Sequence, residues 1–222
     1  MLATFFPLKH LNMKKYLFYL LGLLVISSCA KPKRANGRID IQMMVYNDPS
    51  NDPYNSFLLP ISTMYFKDDL FIENIQEYKD GIPLENLSYS IVKGNKFGVF
   101  SNLNDITKVK IDKDLKDKNV GVKFVNDVVN YNTRENLSDT VLNGINYKRA
   151  RIVNDSVYTV FYINQTDTIL PFSLSPQFDK DYDGILDRVD TYEKNHDRFT
   201  SLRMTLNDTI PQRYYNALNL LK

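Results

Sequence analysis

The sequence has one cysteine, no tryptophan and two histidines among its 222 residues. Because a disulfide joins two cysteines, the single Cys29 excludes an intrachain disulfide bond. A zinc site of the usual kind takes several cysteine or histidine ligands, so the same scarcity excludes that class of metal site. The absence of tryptophan disfavours a carbohydrate cleft, although 15 tyrosines are available to stack on sugars.

An excess of positive charge is also missing. The first 28 residues carry Lys9, Lys14 and Lys15 and no acidic residue, so their removal changes the formal net charge from +2 to −1. A nucleic-acid-binding domain is normally basic, with lysines and arginines gathered in a patch. We therefore expect no nucleic-acid partner. The 43% hydrophobic and 13% aromatic content predicts a folded domain.

Motifs of the common catalytic classes are absent as well. The chain contains no nucleophile elbow, phosphate-binding loop, dinucleotide fingerprint or metalloprotease motif. His196 stands beside Asp197, which would suit a general base oriented by a neighbouring acid. A solvated loop histidine without a catalytic role is the alternative. We expect no enzymatic activity. A carboxylate-based hydrolase is the alternative, because a pair of acids leaves little local pattern.

The N-terminus has the pattern of an export signal. Lys14 and Lys15 precede residues 16–26, a run of eleven residues without charge. A basic start followed by an apolar stretch of this length is typical of a secretory signal peptide, whereas a membrane-spanning helix needs about 20 apolar residues. Met13, directly before the two lysines, is the expected true start of the chain.

The end of the apolar run resembles the lipobox of bacterial lipoproteins, and the chain looks like one from the Bacteroidetes. Ile26, Ser27, Ser28 and Cys29 match the pattern of an aliphatic residue, two small residues and a cysteine. The resemblance implies that the Cys29 sulfur takes a diacylglyceryl group and that cleavage removes residues 1–28. The new amino group is acylated in that family, for example with palmitate, and two or three acyl chains give durable membrane anchoring.

Residues 29–38 are expected to form the lipidated cysteine and a tether, and residues 39–222 a single β-rich domain. The tether carries Lys31, Lys33 and Arg34, whereas surface-exported lipoproteins of the Bacteroidetes resemble one another in having acidic residues there. We therefore predict an anchor in the outer membrane that faces the periplasm, with surface exposure as the alternative. The basic residues either contact anionic headgroups or are simply solvated.

Short runs rich in β-branched and aromatic residues predict a mainly β domain. The Asn-Gly pair at 143–144 is a strong hairpin signal, and the Gly-Asn pair at 94–95 predicts a second hairpin. Residues 47–60 predict a loop, and residues 64–85 are ambiguous, with a helix as one alternative. The predicted strands cover residues 41–46, 87–92, 96–100, 120–129, 157–163, 168–174 and 199–206.

A short helix is predicted at the C-terminus. Asp208 or Thr209 would cap it, and Pro211 would lie in its first turn. Apolar residues at 214, 218 and 221 then recur at helical spacing. Together with the hairpins, this pattern predicts an antiparallel sandwich or an open barrel with a short C-terminal helix.

Residues 179–190 form the most distinctive motif of the domain. Acids stand at positions 1, 3, 5, 9 and 12 of this segment, and a glycine stands at position 6. The segment resembles the calcium loops of EF-hands, dockerins and thrombospondin type 3 repeats, in which oxygen ligands surround the ion. The resemblance implies one structural Ca²⁺ ion, and a surface turn without an ion is the alternative. The implied ligands are Asp179, Asp181, Asp183, the carbonyl of Ile185, Asp187 and Asp190.

At four places an aspartate is followed by a serine or threonine and then by an aliphatic residue. This pattern resembles the O-glycosylation sequon of exported Bacteroidetes proteins. The implied acceptors are Thr140, Ser156, Thr168 and Thr209. The same pattern also leads a turn into a strand or caps a helix, so both interpretations stay open.

As a whole, the sequence predicts a membrane-anchored lipoprotein of the bacterial cell envelope that acts as a non-enzymatic binding or structural module. Its expected partner is a protein or another component of the envelope. Two alternatives stay open. One is a small hydrolase or sugar-binding accessory lipoprotein, and the other is an assembly factor of an outer-membrane complex.

Overall fold

The computed structural model describes residues 31–79, 82–119, 121–122 and 128–221, and for residues 77–79 and 82–87 it describes the backbone alone. The predicted signal peptide and Cys29 lie outside these residues, as does most of the predicted strand at 120–129. Among the described residues, no helix is both long and apolar enough to cross a membrane.

β-Strands make up most of the described chain. The strands are β1 (Asn36–Asn47), β2 (Ser56–Lys67), β3 (Leu70–Lys79), β4 (Ile82–Lys93), β5 (Lys96–Phe100), β6 (Lys113–Asp114), β7 (Glu135–Leu142), β8 (Ile145–Val153), β9 (Val157–Asn164), β10 (Ile185–Glu193) and β11 (Arg198–Asn207). The α-helices are α1 (Pro176–Tyr182) and α2 (Gln212–Leu220). Short 3-10 helices span Leu103–Lys108, Leu115–Asp117, Tyr131–Thr133 and Lys194–His196.

All of these strands belong to one antiparallel sheet with the order β6-β5-β4-β3-β2-β1-β11-β10-β9-β8-β7. The sheet consists of two meanders, β1 to β6 and β7 to β11. They are joined where β1 pairs with β11, from Arg38 opposite Asn207 to Asn47 opposite Arg198. Because β6 and β7 are the two edges, the sheet is not closed into a barrel. The predicted mainly β, antiparallel fold with a short C-terminal helix is confirmed.

The two predicted hairpins are also confirmed. Asn143 and Gly144 join β7 to β8 and have φ values of 52° and 80°. Two successive residues with positive φ are what a tight type I′ turn requires. Gly94, with φ of 57°, lies in the turn between β4 and β5. Local turn chemistry therefore sets the register of both strand pairs.

Some predictions for single elements are wrong, and one open question is decided. Residues 168–174 form no strand, and Ile169 makes an isolated parallel bridge to Lys33, which precedes β1. The described part of residues 64–85, for which the sequence is ambiguous, is strand apart from a turn at residues 68–69, because pairing with neighbouring strands outweighs the local preference. β2 begins at Ser56, inside the predicted loop at 47–60. β1 begins at Asn36, so the predicted tether already includes the start of the sheet.

The C-terminal helix is shorter than predicted at both ends. Helix α2 begins at Gln212, and Pro211 is its N-cap in an extended conformation, so neither Asp208 nor Thr209 caps it. Tyr214 and Leu218 are buried, as the helical spacing predicts. The residue at 221 stands at the C-cap, just beyond the helix.

The larger hydrophobic core lies on one face of the sheet. Helix α1 packs on this face through Phe178, whose ring stacks on that of Phe161 with centroids 4.4 Å apart. The segment before α1 contributes Phe172 and Leu174. Both meanders contribute side chains, including Ile39, Met64, Phe66, Ile163 and Met204. This core therefore holds the two halves of the sheet together.

A smaller core lies on the opposite face and covers β2, β3 and β4, with Phe100 of β5 packed against it. Helix α2 supplies Tyr214, whose ring stacks on Tyr65 with centroids 3.8 Å apart. Burial raises the pKa of Tyr65 to about 12. Ile72 and Ile91 complete the contact with the helix. Since α2 covers only this half, the same face of β8 to β11 carries polar side chains instead.

The first face also contains a fully buried ion pair. Glu73 accepts hydrogen bonds from the hydroxyls of Ser62 and Ser90 at 2.7 and 2.8 Å, and from the backbone N–H of Val122 at 2.7 Å. The ammonium of Lys118 lies 2.7 Å from the second Glu73 oxygen, and both side chains are 0% exposed. Burial lowers the pKa of Lys118, although the Glu73 charge opposes this shift.

This ion pair fixes the segment that follows β6 to the sheet. Lys118 also donates to the Val122 carbonyl at 2.7 Å. Gly121, with φ of 63°, passes so close to Glu73 that an added Cβ would lie 2.3 Å from Oε1. Only glycine fits this approach without strain. The carboxylate is therefore a structural anchor with partners for both of its oxygens.

Candidate ligand-binding cavity

A β-bulge interrupts the regular pairing of β10. The pairing of β10 with β9 shifts register between Leu186 and Arg188, so Asp187 is the extra residue. Bulges redirect side chains and are common beside functional sites. Asp187 bonds to Tyr147 and Asn164, which pair with each other across β8 and β9. The bulge therefore directs the Asp187 carboxyl group towards the start of β8 and the end of β9.

The two oxygens of Asp187 are unequally satisfied. Oδ2 accepts a hydrogen bond from the Asn164 amide at 3.0 Å and a longer one from the Tyr147 hydroxyl at 3.4 Å. Oδ1 is buried and has no hydrogen-bond partner among the described residues. Burial raises the pKa of Asp187 to about 6, although Asn164, Tyr147 and Arg188 each favour the charged form. This carboxyl group therefore titrates near neutral pH.

Two arginines lie directly opposite each other beside this acid. Arg188 in β10 pairs with Arg203 in β11, and directly opposed residues in an antiparallel pair share one face of the sheet. Arg188 forms an ion pair with Asp190 at 2.7 Å and lies over the Tyr162 ring, 4.9 Å from its centroid. Arg203 donates to the Ser201 hydroxyl at 3.2 Å. Within the described chain, no acidic side chain forms an ion pair with Arg203.

Opposed like charges destabilise a sheet, and an anion beside Arg203, whose side chain is exposed to solvent, would reduce the repulsion between Arg188 and Arg203. Asp190 compensates Arg188, because its second oxygen is held by Ser201 at 2.7 Å and the carboxylate is fixed in place. Nothing equivalent in the described chain compensates Arg203. A bound anion would supply the missing charge.

These groups line a cavity of about 470 Å³ at the ends of β8 to β11, where the chain after β9 crosses towards β1. Ligand pockets are typically about 300–1,000 Å³. The wall combines Asp187, Arg188 and Arg203 with Arg34, Asn164, Thr168 and Thr205, and with apolar side chains that include Leu142, Ile145 and Leu170. Such a mixture suits a ligand that has an anionic group, hydroxyls and an apolar part.

The residues of the predicted calcium loop are distributed over a helix, a turn and a strand. Asp179 lies in α1, where its Oδ1 accepts from the Leu186 N–H at 2.7 Å and burial raises its pKa. Asp181 lies near the end of α1 and accepts from the Tyr131 hydroxyl at 2.7 Å. It also forms an ion pair with Arg134 at 2.8 Å. Each of these acids is therefore engaged by a different part of the protein.

The remaining residues of the motif also lie in different places. Asp183 ends α1 with a positive φ of 51°, and Ile185 begins β10 opposite Asn164. Asp187 lies in the cavity, and Asp190 pairs with Arg188. Among the described residues, no three His, Cys, Asp or Glu side chains form a group that would hold a metal ion. The arrangement does not fit a calcium cage, and calcium binding stays a prediction.

The predicted modification sites lie at or near the surface where the structure describes them. Thr140 is in β7 and Ser156 is in the turn between β8 and β9, and both are half-buried. Thr168 is also half-buried and lines the cavity, whereas Thr209 is exposed just before α2. Lipidation of Cys29 and glycosylation of these four residues stay predictions.

His196 does not pair with its sequence neighbour. Its side chain is 73% exposed, and its Nδ1 lies 3.4 Å from a carboxylate oxygen of Glu193. The Asp197 carboxylate instead accepts hydrogen bonds from the Tyr192 hydroxyl and from Ser50. The two neighbours therefore form no acid–base pair.

The sequence pattern did not reveal the cavity. In the sequence Asp187 belongs to the calcium-like motif, and a one-residue bulge does not change the hydrophobic periodicity enough to be recognised. Arg188 and Arg203 are separated by a turn, so their opposition depends on the register of β10 and β11. The sequence offers one signal, the alternation of apolar and polar residues at 202–206, which places Arg203 on the polar face of a strand. Its partner Arg188 can be found only once β10 is recognised as the neighbouring strand.

No family model matches the chain, and no curated protein sequence matches it. Some solved structures show weak structural similarity to the chain. One is PNGF-II, with 8% identity and a TM-score of 0.36, covering 80% of this chain, which spans only 30% of the length of that protein. Another is a domain assigned to outer membrane lipoprotein sorting from Vibrio parahaemolyticus, with 9% identity, a TM-score of 0.27 and coverage of 90% and 97%. A DUF1329 family protein from Desulfovibrio piger has 9% identity, a TM-score of 0.21 and coverage of 90% and 96%. Likeness at this level assigns neither family nor function to the chain.

Proposed function

We propose that this chain is a lipid-anchored binding protein of the bacterial cell envelope and that the Asp187 cavity is its ligand site. The observation that carries the proposal is the pair of opposed arginines beside a buried carboxyl group in a cavity of about 470 Å³. A ligand with an anionic group and free hydroxyls would offset both the repulsion between the arginines and the incomplete hydrogen bonding of Asp187.

The composition of the cavity favours binding over hydrolysis. Glycosidases of the common type place two carboxyl groups on either side of the bond that they cleave. Among the described residues that line the cavity, Asp187 is the one acid. Asp190, its neighbour in β10, is buried and engaged by Arg188 and Ser201. A single carboxyl group with three arginines is suited to holding an anion.

The anchor rests on the lipobox-like residues that end at Cys29. We propose acylation of Cys29 and a periplasm-facing position on the outer membrane, which the basic tether supports. The Cys29→Ala variant should lose labelling by a palmitate analogue and should leave the membrane fraction, while the wild-type chain keeps both. Continued labelling of the variant would contradict the anchor. Protease treatment of intact cells should leave the wild-type protein uncut, and cleavage would place it on the cell surface.

A further inference from the structure

We propose that the ligand of the Asp187 cavity is the headgroup of an anionic glycerophospholipid, in which a phosphate ester carries free hydroxyls. This inference rests on the proposed function, since it names the ligand of the same site. Four features of the cavity point to this ligand: its charge, its hydrogen-bonding groups, the apolar side chains next to it and its position on the chain.

The charge of the cavity selects an anion. Arg34, Arg188 and Arg203 line it, against the single acid Asp187. Arg34 and Arg188 have acidic partners in Asp208 and Asp190. Arg203 has no such partner within the described chain. The planar guanidinium of Arg203 is well matched to two phosphate oxygens, and the positive charge of choline or ethanolamine would be repelled by these arginines.

The polar groups beside the arginines suit a hydroxylated ligand. Thr168 and Thr205 offer hydroxyls that both donate and accept, and the Asn164 amide at the end of β9 donates to Asp187. An inorganic phosphate can accept hydrogen bonds from the arginines and from these groups. The free hydroxyls of a glycerol ester add donors that the Asp187 carboxylate can accept.

Exposed apolar side chains lie next to the same cavity, and one of them, Ile145, lines it. Val141 and Ile145 flank the turn between β7 and β8 and are 61% and 39% exposed. Ile169 lies between two cavity-lining residues on the crossing segment and is 47% exposed. Apolar side chains around a basic centre are typical of surfaces that rest in the headgroup region of a bilayer. A soluble anion would leave all three in water.

The position on the chain also points to a lipid. Arg34 lines the cavity and stands five residues after Cys29 in the sequence. Because an extended chain covers at most about 3.6 Å per residue, an acylated Cys29 would keep Arg34 within about 18 Å of its anchor. The tether also carries Lys31 and Lys33, which anionic lipids attract. Free phosphate esters have no such reason to be near.

The test uses the acylated protein in a neutral detergent, titrated with three probes in separate calorimetric experiments. The probes are short-chain phosphatidylglycerol, short-chain phosphatidylcholine and glycerol 3-phosphate. We expect phosphatidylglycerol to bind at least about tenfold more tightly than either of the others. Arg203→Gln should weaken phosphatidylglycerol binding by about tenfold or more, as the loss of a charged hydrogen-bonding partner implies.

Arg151→Gln is the matched control, because Arg151 lies in β8 and pairs with Glu135 outside the cavity. It removes the same charge and should leave the affinity unchanged. Equal affinity for both lipids, or equal losses in the two variants, would overturn the inference. Glycerol 3-phosphate binding as tightly as phosphatidylglycerol would overturn the lipid assignment.

The proposed function fails in a different way from this inference. Glucuronate, a hydroxylated carboxylate without a phosphate or an acyl chain, serves as the separating probe. If glucuronate binds with the same Arg203 dependence while phosphatidylglycerol does not, the cavity is a ligand site and the lipid assignment is overturned. If none of the probes binds in a manner that depends on Arg203, the proposed binding function is overturned as well.

Discussion

Glu73 and Asp187 are both carboxyl groups within the same sheet, and their surroundings differ. Glu73 has four donors shared between its two oxygens, including the ammonium of Lys118. Asp187 has two donors on Oδ2, one of them at 3.4 Å, and none on Oδ1. A buried charge is tolerated when every lone pair finds a partner. Glu73 meets that condition and Asp187 does not.

The comparison separates a structural acid from one that is ready to respond to a ligand or a proton. Glu73 holds the segment after β6 on the sheet and is not among the described residues that line the Asp187 cavity. Asp187 lies in a cavity with unbalanced positive charge, and burial raises its pKa to about 6. The incomplete hydrogen bonding of Asp187 is therefore the better indicator of function.

The largest effect is expected for Glu73→Ala. Removing the carboxylate leaves Lys118 buried without its counter-charge, which should lower the free energy of unfolding by about 3–5 kcal/mol. Urea unfolding followed by circular dichroism measures this loss. Asp114→Ala removes the exposed partner of Lys96 and is the control, with little expected loss. Similar losses in the two variants would remove the structural role of Glu73.

A smaller loss is expected for Gly121→Ala. The new methyl group would meet Oε1 of Glu73, and the positive φ of 63° disfavours any side chain. We expect a loss of about 1–3 kcal/mol. Gly144→Ala is the matched control, since Gly144 has φ of 80° and nothing within 4 Å of an added Cβ. The difference between the two variants isolates the contact with Glu73, and no difference would mean that the segment is not held there.

Asp187→Asn should stabilise the protein at pH 7.5. Because the pKa of Asp187 is raised in the folded state, the folded protein takes up the proton first. Stability therefore falls as the pH rises from about 4 to about 6, and asparagine removes that fall. We expect a gain of about 1–2 kcal/mol at pH 7.5, below the ceiling of about 3 kcal/mol that the pKa change sets. Asp69→Asn, at an exposed turn, is the control.

The pH dependence of the free energy of unfolding, compared between the wild-type protein and Asp187→Asn, tests whether the ionisation of Asp187 is the cause. Urea unfolding at pH 4.5 and 7.5 should give a difference between wild type and Asp187→Asn that grows with pH. An equal difference at both values would show that the ionisation of Asp187 is not responsible. The same variant should bind phosphatidylglycerol more tightly than the wild-type protein, because the charge that it removes opposes the ligand.

The smallest effect is expected for calcium. The acids of residues 179–190 already have separate partners, among them Arg134 and Arg188. We expect millimolar Ca²⁺ to raise the melting temperature by no more than about 2 °C, because the ion would have to displace these partners before it binds. A rise of several degrees that Asp181→Ala removes would instead establish the calcium site. It would also show that these acids exchange their present partners for the ion.

The hairpins and the strand-rich character of the domain were predictable because they depend on local chemistry. Asn143 and Gly144 form their turn without help from distant residues. β10 was not predictable in the same way, because its acids resemble a calcium loop and only its pairing with β9 and β11 makes it a strand. The ambiguous residues around 64–79 became β2 and β3 for the same reason.

The candidate site depends entirely on such pairings. Asp187 enters the cavity through a bulge, which is a relation between two strands and not a property of one. Arg188 and Arg203 oppose each other only in the observed register. Likewise, Ser62 and Ser90 meet Glu73 from two different strands. Sequence reading finds such residues as polar positions and cannot tell which of them converge.

The pairing of β1 with β11 has a consequence for folding. Arg38 and Asn207 are partners although 168 residues separate them in the sequence. Contacts between residues so far apart make folding slow, because a long loop must close before the contact forms. Each meander can form its own hairpins early, but the seam between them needs the last strand of the chain. A polypeptide that crosses a membrane from its N-terminus would therefore acquire this seam only after nearly all of it had emerged.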